Sequence, residues 1–229
     1  MGALAPLLAE RLTVFKYDRR GRNESGDTSL YAVEREIEDI DALIAEAGGS
    51  AFVYGISSGA GLALEAAARG LAITRLALYE PPYVARDSNP ALAKDPVRDL
   101  KKLVAEGRRG DAVEYFMTQV VGLPLEHAAG MRQSPAWPAL ESVAPTLVYD
   151  VSIMGDYKVP TKRFVSIKVP TIVIGGGASP AELQNAVRDV ANAVPNAQRR
   201  MLEGQTHEVS AEAIAPVLSE FFSGVTVAV

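Results

Sequence analysis

Short apolar runs and amphipathic helical patterns take turns along this 229-residue chain, and that alternation constrains its fold most. Leu12–Tyr17, Ala51–Tyr54, Leu76–Tyr79, Thr171–Ile174 and Arg199–Leu202 are short, and their patterns predict five strands. Val33, Ile37, Ile40, Ile44 and Ala47 recur at spacings of three and four, which is one face of a helix. Gly48-Gly49 ends it, because glycine readily takes the left-handed stop conformation. Further helices are predicted over Ala60–Arg69, Glu182–Val194 and Ala211–Phe222. Strands that alternate with helices imply an α/β fold: a mostly parallel sheet with helices on both faces.

Between Tyr83 and Val169 the rhythm breaks. This stretch carries no clear strand, many prolines and the single tryptophan, Trp137. Val97–Ala105 and Asp111–Val120 read as helices within it. The expected organisation is an α/β core over 1–82 and 170–229, with a helical cap inserted over 83–169. The insertion leaves the carboxyl end of a strand, which is where open α/β sheets bind ligands.

Composition removes several classes of function. Apolar residues make up 48% and charged residues 22%, which is ordinary globular usage and not that of a disordered chain. A net charge of −5 repels phosphate backbones, so no nucleic-acid partner is expected. No apolar run approaches the length that spans a bilayer, and the first residues lack a basic segment. The expectation is a cytoplasmic protein without a membrane partner. The chain has no cysteine and two histidines, which excludes disulfides, thiolate catalysis and zinc–thiolate sites. No metal and no cofactor are expected.

The stretch Phe52–Gly61 carries the chemistry. It reads Gly55-Ile56-Ser57-Ser58-Gly59 between a predicted strand and a predicted helix. That context fits a sharp turn that pushes the Ser57 hydroxyl beyond the strand end, with Gly55 and Gly59 flanking it because side chains there would collide with their surroundings. The backbone N–H of Ser58, at the helix start, would then face a developing oxyanion. A serine hydroxyl needs a base. His207 is the candidate, in the loop between the last short strand and the last helix. His127 lies in the insertion and reads as a surface or cap residue.

These segments together resemble the α/β-hydrolase family. Asp18-Arg19-Arg20-Gly21-Arg22-Asn23-Glu24-Ser25 resembles the family's D-x-R-G-x-G-x-S turn, Gly55–Gly59 its nucleophile elbow, and Gly204–His207 its histidine loop. Asn23 replaces the usual glycine and can still take the left-handed backbone the turn needs. The family often places an aspartate shortly after the strand that here is Thr171–Ile174, but Ser179 stands about there. Ser179-Pro180-Ala181-Glu182 reads instead as a helix capping box with proline at the first position. The resemblance then points to Glu80, at the end of Leu76–Tyr79, as the acid that orients His207. Asp150 is the alternative, with Glu182 and Asp156 behind it. The chain also begins near the family's first helix, so the resemblance implies a sheet shortened at its N-terminal side, without the usual oxyanion loop. An unpaired edge at Leu12–Tyr17 would favour a homo-oligomer.

The resemblance implies a serine hydrolase acting on a small-molecule substrate, a small carboxylic ester cleaved through an acyl-enzyme at Ser57. Ile56, Tyr83, Met131 and Trp137 are candidates to line the acyl pocket. The alternatives are a non-catalytic scaffold that binds a small molecule or partner, and a C–C hydrolase or lyase on the same fold.

Overall fold

The structure is a computed structural model, and it describes residues 2–28, 30–84 and 94–224. The start of the expected insertion, 85–93, lies outside them. The chain divides into two compact units: Met1–Tyr17, Ile37–Val84 and Tyr157–Val229 form the first, and Asp18–Glu36 with Ala85–Asp156 the second.

The first unit is built on four parallel strands: β1 (Ala51–Ile56), β2 (Ile73–Tyr79), β3 (Thr171–Gly176) and β4 (Gln198–Leu202), in that spatial order. Side chains alternate between the two faces of such strands. Ala77 and Tyr79 of β2 and Ile172 and Ile174 of β3 share one face. There they meet Leu4 and Leu8 of α1 (Leu4–Ala9) and Ile214, Leu218 and Phe222 of α11 (Ala211–Ser223). Leu76, Leu78 and Val173 alternate with them and are fully buried too. The helices α3 (Ser58–Ala68) and α10 (Ala181–Ala193) pack on the sheet, α3 on β1 and β2, α10 on β3 and β4, and the single turn α9 (Thr161–Phe164) packs on α3. Every residue of β3 is buried, as a strand with neighbours on both sides and helices on both faces should be.

The helix predicted from the isoleucine spacing is α2 (Val33–Glu46). Ile37, Ile40 and Ile44 are buried on it, and Val33 is half-buried.

One expected strand does not form. Leu12–Tyr17 takes no regular secondary structure, and among the described residues it joins no ladder. Leu12 and Val14 pack on the core, while Phe15 and Tyr17 face solvent. A strand exists only where a neighbour supplies hydrogen bonds, and β-rich composition cannot supply the neighbour. On this side the sheet therefore ends at β1, which is paired to β2 alone among the described residues. Phe52 on that strand is 42% exposed and stacks on Phe222 with ring centres 5.1 Å apart.

The second unit is helical: α4 (Pro96–Ala105), α5 (Arg109–Tyr115) continuing as a π-helical turn at Phe116–Val120, α6 (Leu125–Arg132), α7 (Trp137–Val143) and α8 (Leu147–Met154). It includes the turn that begins at Asp18. Asn23 sits at φ 47° and donates from Nδ2 to Asp18 Oδ1 at 2.7 Å. Arg19 reaches Glu36 at 2.6 Å and Asp150 at 2.8 Å, and Arg22 reaches Asp150 at 2.7 Å. Glu36 is almost wholly buried, and Arg19 supplies the opposite charge and hydrogen bonds that a buried carboxylate requires.

Candidate active site at the carboxyl ends of the strands

Ile56 of β1 pairs with Tyr79 of β2, so the next residues, Ser57 and Glu80, leave the same rung on neighbouring strands. Ser57 donates its backbone N–H to Tyr79 O at 2.9 Å and then turns sharply, at φ 55° and ψ −130°. A non-glycine residue in that region is strained by roughly 1–3 kcal/mol and persists only where its surroundings hold it. Here α3 begins at the very next residue, Ser58, and seals the turn. Gly55 makes the tight approach possible. A Cβ there would collide with Gly59 O and lie 2.8 Å from Ala60 Cα and N. Gly59 is different: a Cβ on it would meet nothing within 4 Å. The expected steric need for both glycines therefore reduces to one, because the carbonyl of Gly59 is the obstacle rather than its missing side chain.

Glu80 is also left-handed, at φ 43°, and its N–H donates to Ile174 O at 2.9 Å. The carboxylate is wholly buried. Its Oε1 accepts from Gly176 N at 2.8 Å, and its Oε2 lies 2.8 Å from His207 Nδ1. Burial pushes the Glu80 carboxyl up, but the bonds with His207 and the Gly176 N–H, and the Ser179 hydroxyl close by, outweigh it and hold the group below its usual range. The imidazole of His207 is 40% exposed on its other side. The loop carrying it, after β4, is joined to the loop after β3 by Gly177 N to Leu202 O at 2.7 Å and Ala178 N to Gln205 O at 2.9 Å. No hydrogen bond joins Ser57 to His207 among the described residues. Such contacts often tighten only when substrate is bound.

Asp150 is turned elsewhere: its carboxylate accepts from Arg19 and Arg22 within the second unit. Glu182 is exposed in the first turn of α10, and His127 is exposed on α6. Ser179 is not a helix cap. Pro180 is the N-cap of α10, and no side chain caps that end. The Ser179 hydroxyl is instead buried with no hydrogen-bond partner. The Ser-Pro-Ala-Glu pattern describes a local preference, and the loop packing of Ser179 overrides it.

Ile56 is half-buried against the core. Tyr83 is buried edge-on to Phe164, with ring centres 5.7 Å apart and its hydroxyl unpartnered. In the second unit Met131 is half-buried on α6. Trp137, the first residue of α7, is buried and donates its indole N–H to Glu141 at 3.0 Å. The sequence reading missed the Gly176 N–H. Its signal was the run Gly175-Gly176-Gly177, for a Cβ on Gly176 would collide with the carbonyl of Gln205. Among the described residues there is no cluster of metal-ligating side chains, and no helix is long and apolar enough to cross a membrane.

A family model described as alpha/beta hydrolase family matches residues 1–217. An alpha/beta hydrolase from Sphaerobacter thermophilus DSM 20745 is 57% identical, with 96% of this chain and 86% of that one covered and a TM-score of 0.90. A bromoperoxidase from Bacillus anthracis is 20% identical over 97% of this chain and 86% of its own, with a TM-score of 0.70. A meta-cleavage product hydrolase from Pseudomonas fluorescens IP01 is 15% identical over 97% and 84%, with a TM-score of 0.64. These last two share the fold. No match was found among curated proteins. With the family pattern matched over nearly its whole length and a majority of residues shared with one solved member, the chain belongs to the alpha/beta hydrolase family.

Proposed function

We propose that the chain is a serine hydrolase that cleaves a small carboxylic ester through an acyl-enzyme at Ser57. The observation that carries this reading is the His207–Glu80 contact of 2.8 Å at the same sheet end as the strained Ser57 turn. In the reaction, Ser57 Oγ attacks the ester carbonyl and His207 Nε2 takes its proton. Glu80 accepts from Nδ1–H, which fixes the ring and offsets the imidazolium charge. The Ser58 N–H faces the oxyanion. The tetrahedral intermediate collapses with its C–O bond breaking, and the alcohol leaves with the proton from His207. Water, deprotonated by the same imidazole, then attacks the acyl carbon, the bond to Ser57 Oγ breaks, and His207 returns the proton to that oxygen as the acid leaves. Ile56 and Tyr83 would flank the acyl group. Glu80 is preferred to Asp150 as the acid because His207 bonds it, while Asp150 is occupied by two arginines.

A fluorophosphonate probe and a short-chain p-nitrophenyl ester test the reading. Labelling of Ser57 with ester turnover is the expected result. Labelling without turnover would direct the search to a C–C substrate, and no labelling would reject Ser57 as nucleophile and favour a binding scaffold.

A further inference from the structure

Glu80 accepts two hydrogen bonds, from Gly176 N–H and at His207 Nδ1, although a carboxylate offers about four acceptor positions. The group is 0% exposed, so water cannot fill the others as it would at a surface. Buried charge is tolerated only when paired and hydrogen-bonded. Ser179 has the complementary deficit. It is 5% exposed, and its hydroxyl has no partner in good hydrogen-bonding geometry.

Both groups border Gly176. The N–H of Gly176 binds Glu80 Oε1 at 2.8 Å, and the place a Gly176 Cβ would occupy is 2.8 Å from Ser179 Oγ. A side chain at 176 would therefore press on the Ser179 hydroxyl, and glycine leaves it room beside the N–H that binds Glu80. The backbone of Ser179 is fixed on both sides. Its N–H donates to Gly176 O at 3.2 Å, and its carbonyl accepts from Gln184 Nε2 at 2.8 Å. Only the side-chain rotor remains to turn, and capping does not claim it, since Pro180 is the N-cap of α10.

We propose that Ser179 is a positioning residue: its hydroxyl donates a third hydrogen bond to Glu80 and steadies the carboxylate against His207. The low proton affinity of Glu80 agrees with this, because Ser179 sits close enough to favour its charged form against the opposing effect of burial. A carboxylate held by three donors is oriented before an imidazolium forms beside it and needs no rearrangement when it does. This assignment rests on the reading of Glu80 as the partner of the catalytic base.

The test is Ser179→Ala, read in two ways. Removing one hydrogen bond to a charged group should lower kcat by on the order of tenfold, with KM nearly unchanged. The melting temperature should drop at pH 7, and the gap from wild type should be smaller at pH 3, because the charged fraction of Glu80, which needs the donors, falls with pH. A filler role for Ser179 would give the same gap at both pH values. An equal gap, or an unchanged kcat, overturns the proposal. The melting measurement needs no substrate. A gap that closes in acid, in a wild-type protein inert toward esters, would keep the contact and sink the hydrolase reading instead.

Discussion

Tyr79 donates its phenolic hydroxyl to the carbonyl of Thr206 at 2.5 Å, so the residue before Glu80 holds the residue before His207. Two ties therefore run side by side from the end of β2 to the histidine loop, one structural and one between the candidate acid and base. Burial, with the charge of Glu80 beside it, raises the Tyr79 hydroxyl far above neutral pH, so it remains a donor throughout the working range. Tyr79→Phe should cost about 1–2 kcal/mol in urea unfolding. It should also lower kcat by on the order of tenfold, because a small displacement of a catalytic group is costly. A variant that loses stability but keeps full kcat would show that the loop holds His207 without this tie.

Ser57→Ala should abolish esterase activity, by a factor on the order of 10⁴–10⁶ in kcat. The turn is held by Gly55, by the start of α3 and by the Ser57 N–H bond to Tyr79 O, all of which survive. The melting temperature should therefore move little. Retained turnover in the purified variant would remove Ser57 from the mechanism.

Glu80 predicts an acid-dependent loss of stability with a definite sign. Its folded pKa lies below its unfolded one. Its contribution is therefore complete above the unfolded value, about 4.3, and is lost as pH falls through the lower folded value. Glu80→Gln should melt below wild type at pH 7, and the two should draw together as pH falls below about 4.3. Parallel curves over that range would mean that the charge on Glu80 contributes nothing.

The Gly55–Gly59 turn was legible because its cause is local: a short apolar run, a glycine where the chain must approach closely, and a small-residue helix directly after it. The isoleucine face of α2 was legible for the same reason. Leu12–Tyr17 was misread because a strand is a relationship between two segments, and its β-rich composition describes only one of them. Ser179 was misread because its neighbours carry a strong cap pattern, whereas its place beside Glu80 depends on a contact nearly a hundred residues distant. The Gly176 N–H was missed because its only mark is the run Gly175-Gly176-Gly177, and a run of glycines does not say what the backbone approaches.

Gly55→Ala tests the tight approach directly. The new Cβ would run into backbone at Gly59 and Ala60, which cannot swing aside as a flexible side chain would. Overpacking of this kind costs about 1–3 kcal/mol and sometimes more. Gly59→Ala, with open space around the added methyl, should cost clearly less. Equal losses in denaturant unfolding would contradict the assignment of the steric need to Gly55.

Asp150 separates structure from chemistry. It accepts from both Arg19 and Arg22, while Arg19 also serves the buried Glu36. Burial disfavours the charge on Arg19, but the hydrogen bond with Glu36 and the nearby Asp150 carboxylate more than restore it. Asp150→Asn would remove the carboxylate charge that Arg19 and Arg22 share. Breaking a buried ion pair costs about 3–5 kcal/mol, and the partial exposure of Arg22 places the expected loss near the lower end. Because the Asp150 carboxylate serves Arg19 and Arg22, kcat per folded molecule should remain within about tenfold of wild type, a loss no larger than about 1.4 kcal/mol of barrier. Glu80→Gln should show the reverse, with a kcat loss of two or more orders of magnitude, about 10² or greater, as when the orienting acid of a triad is removed. A stable Asp150→Asn protein with kcat reduced that far, beside an active Glu80→Gln protein, would move the orienting role from Glu80 to Asp150.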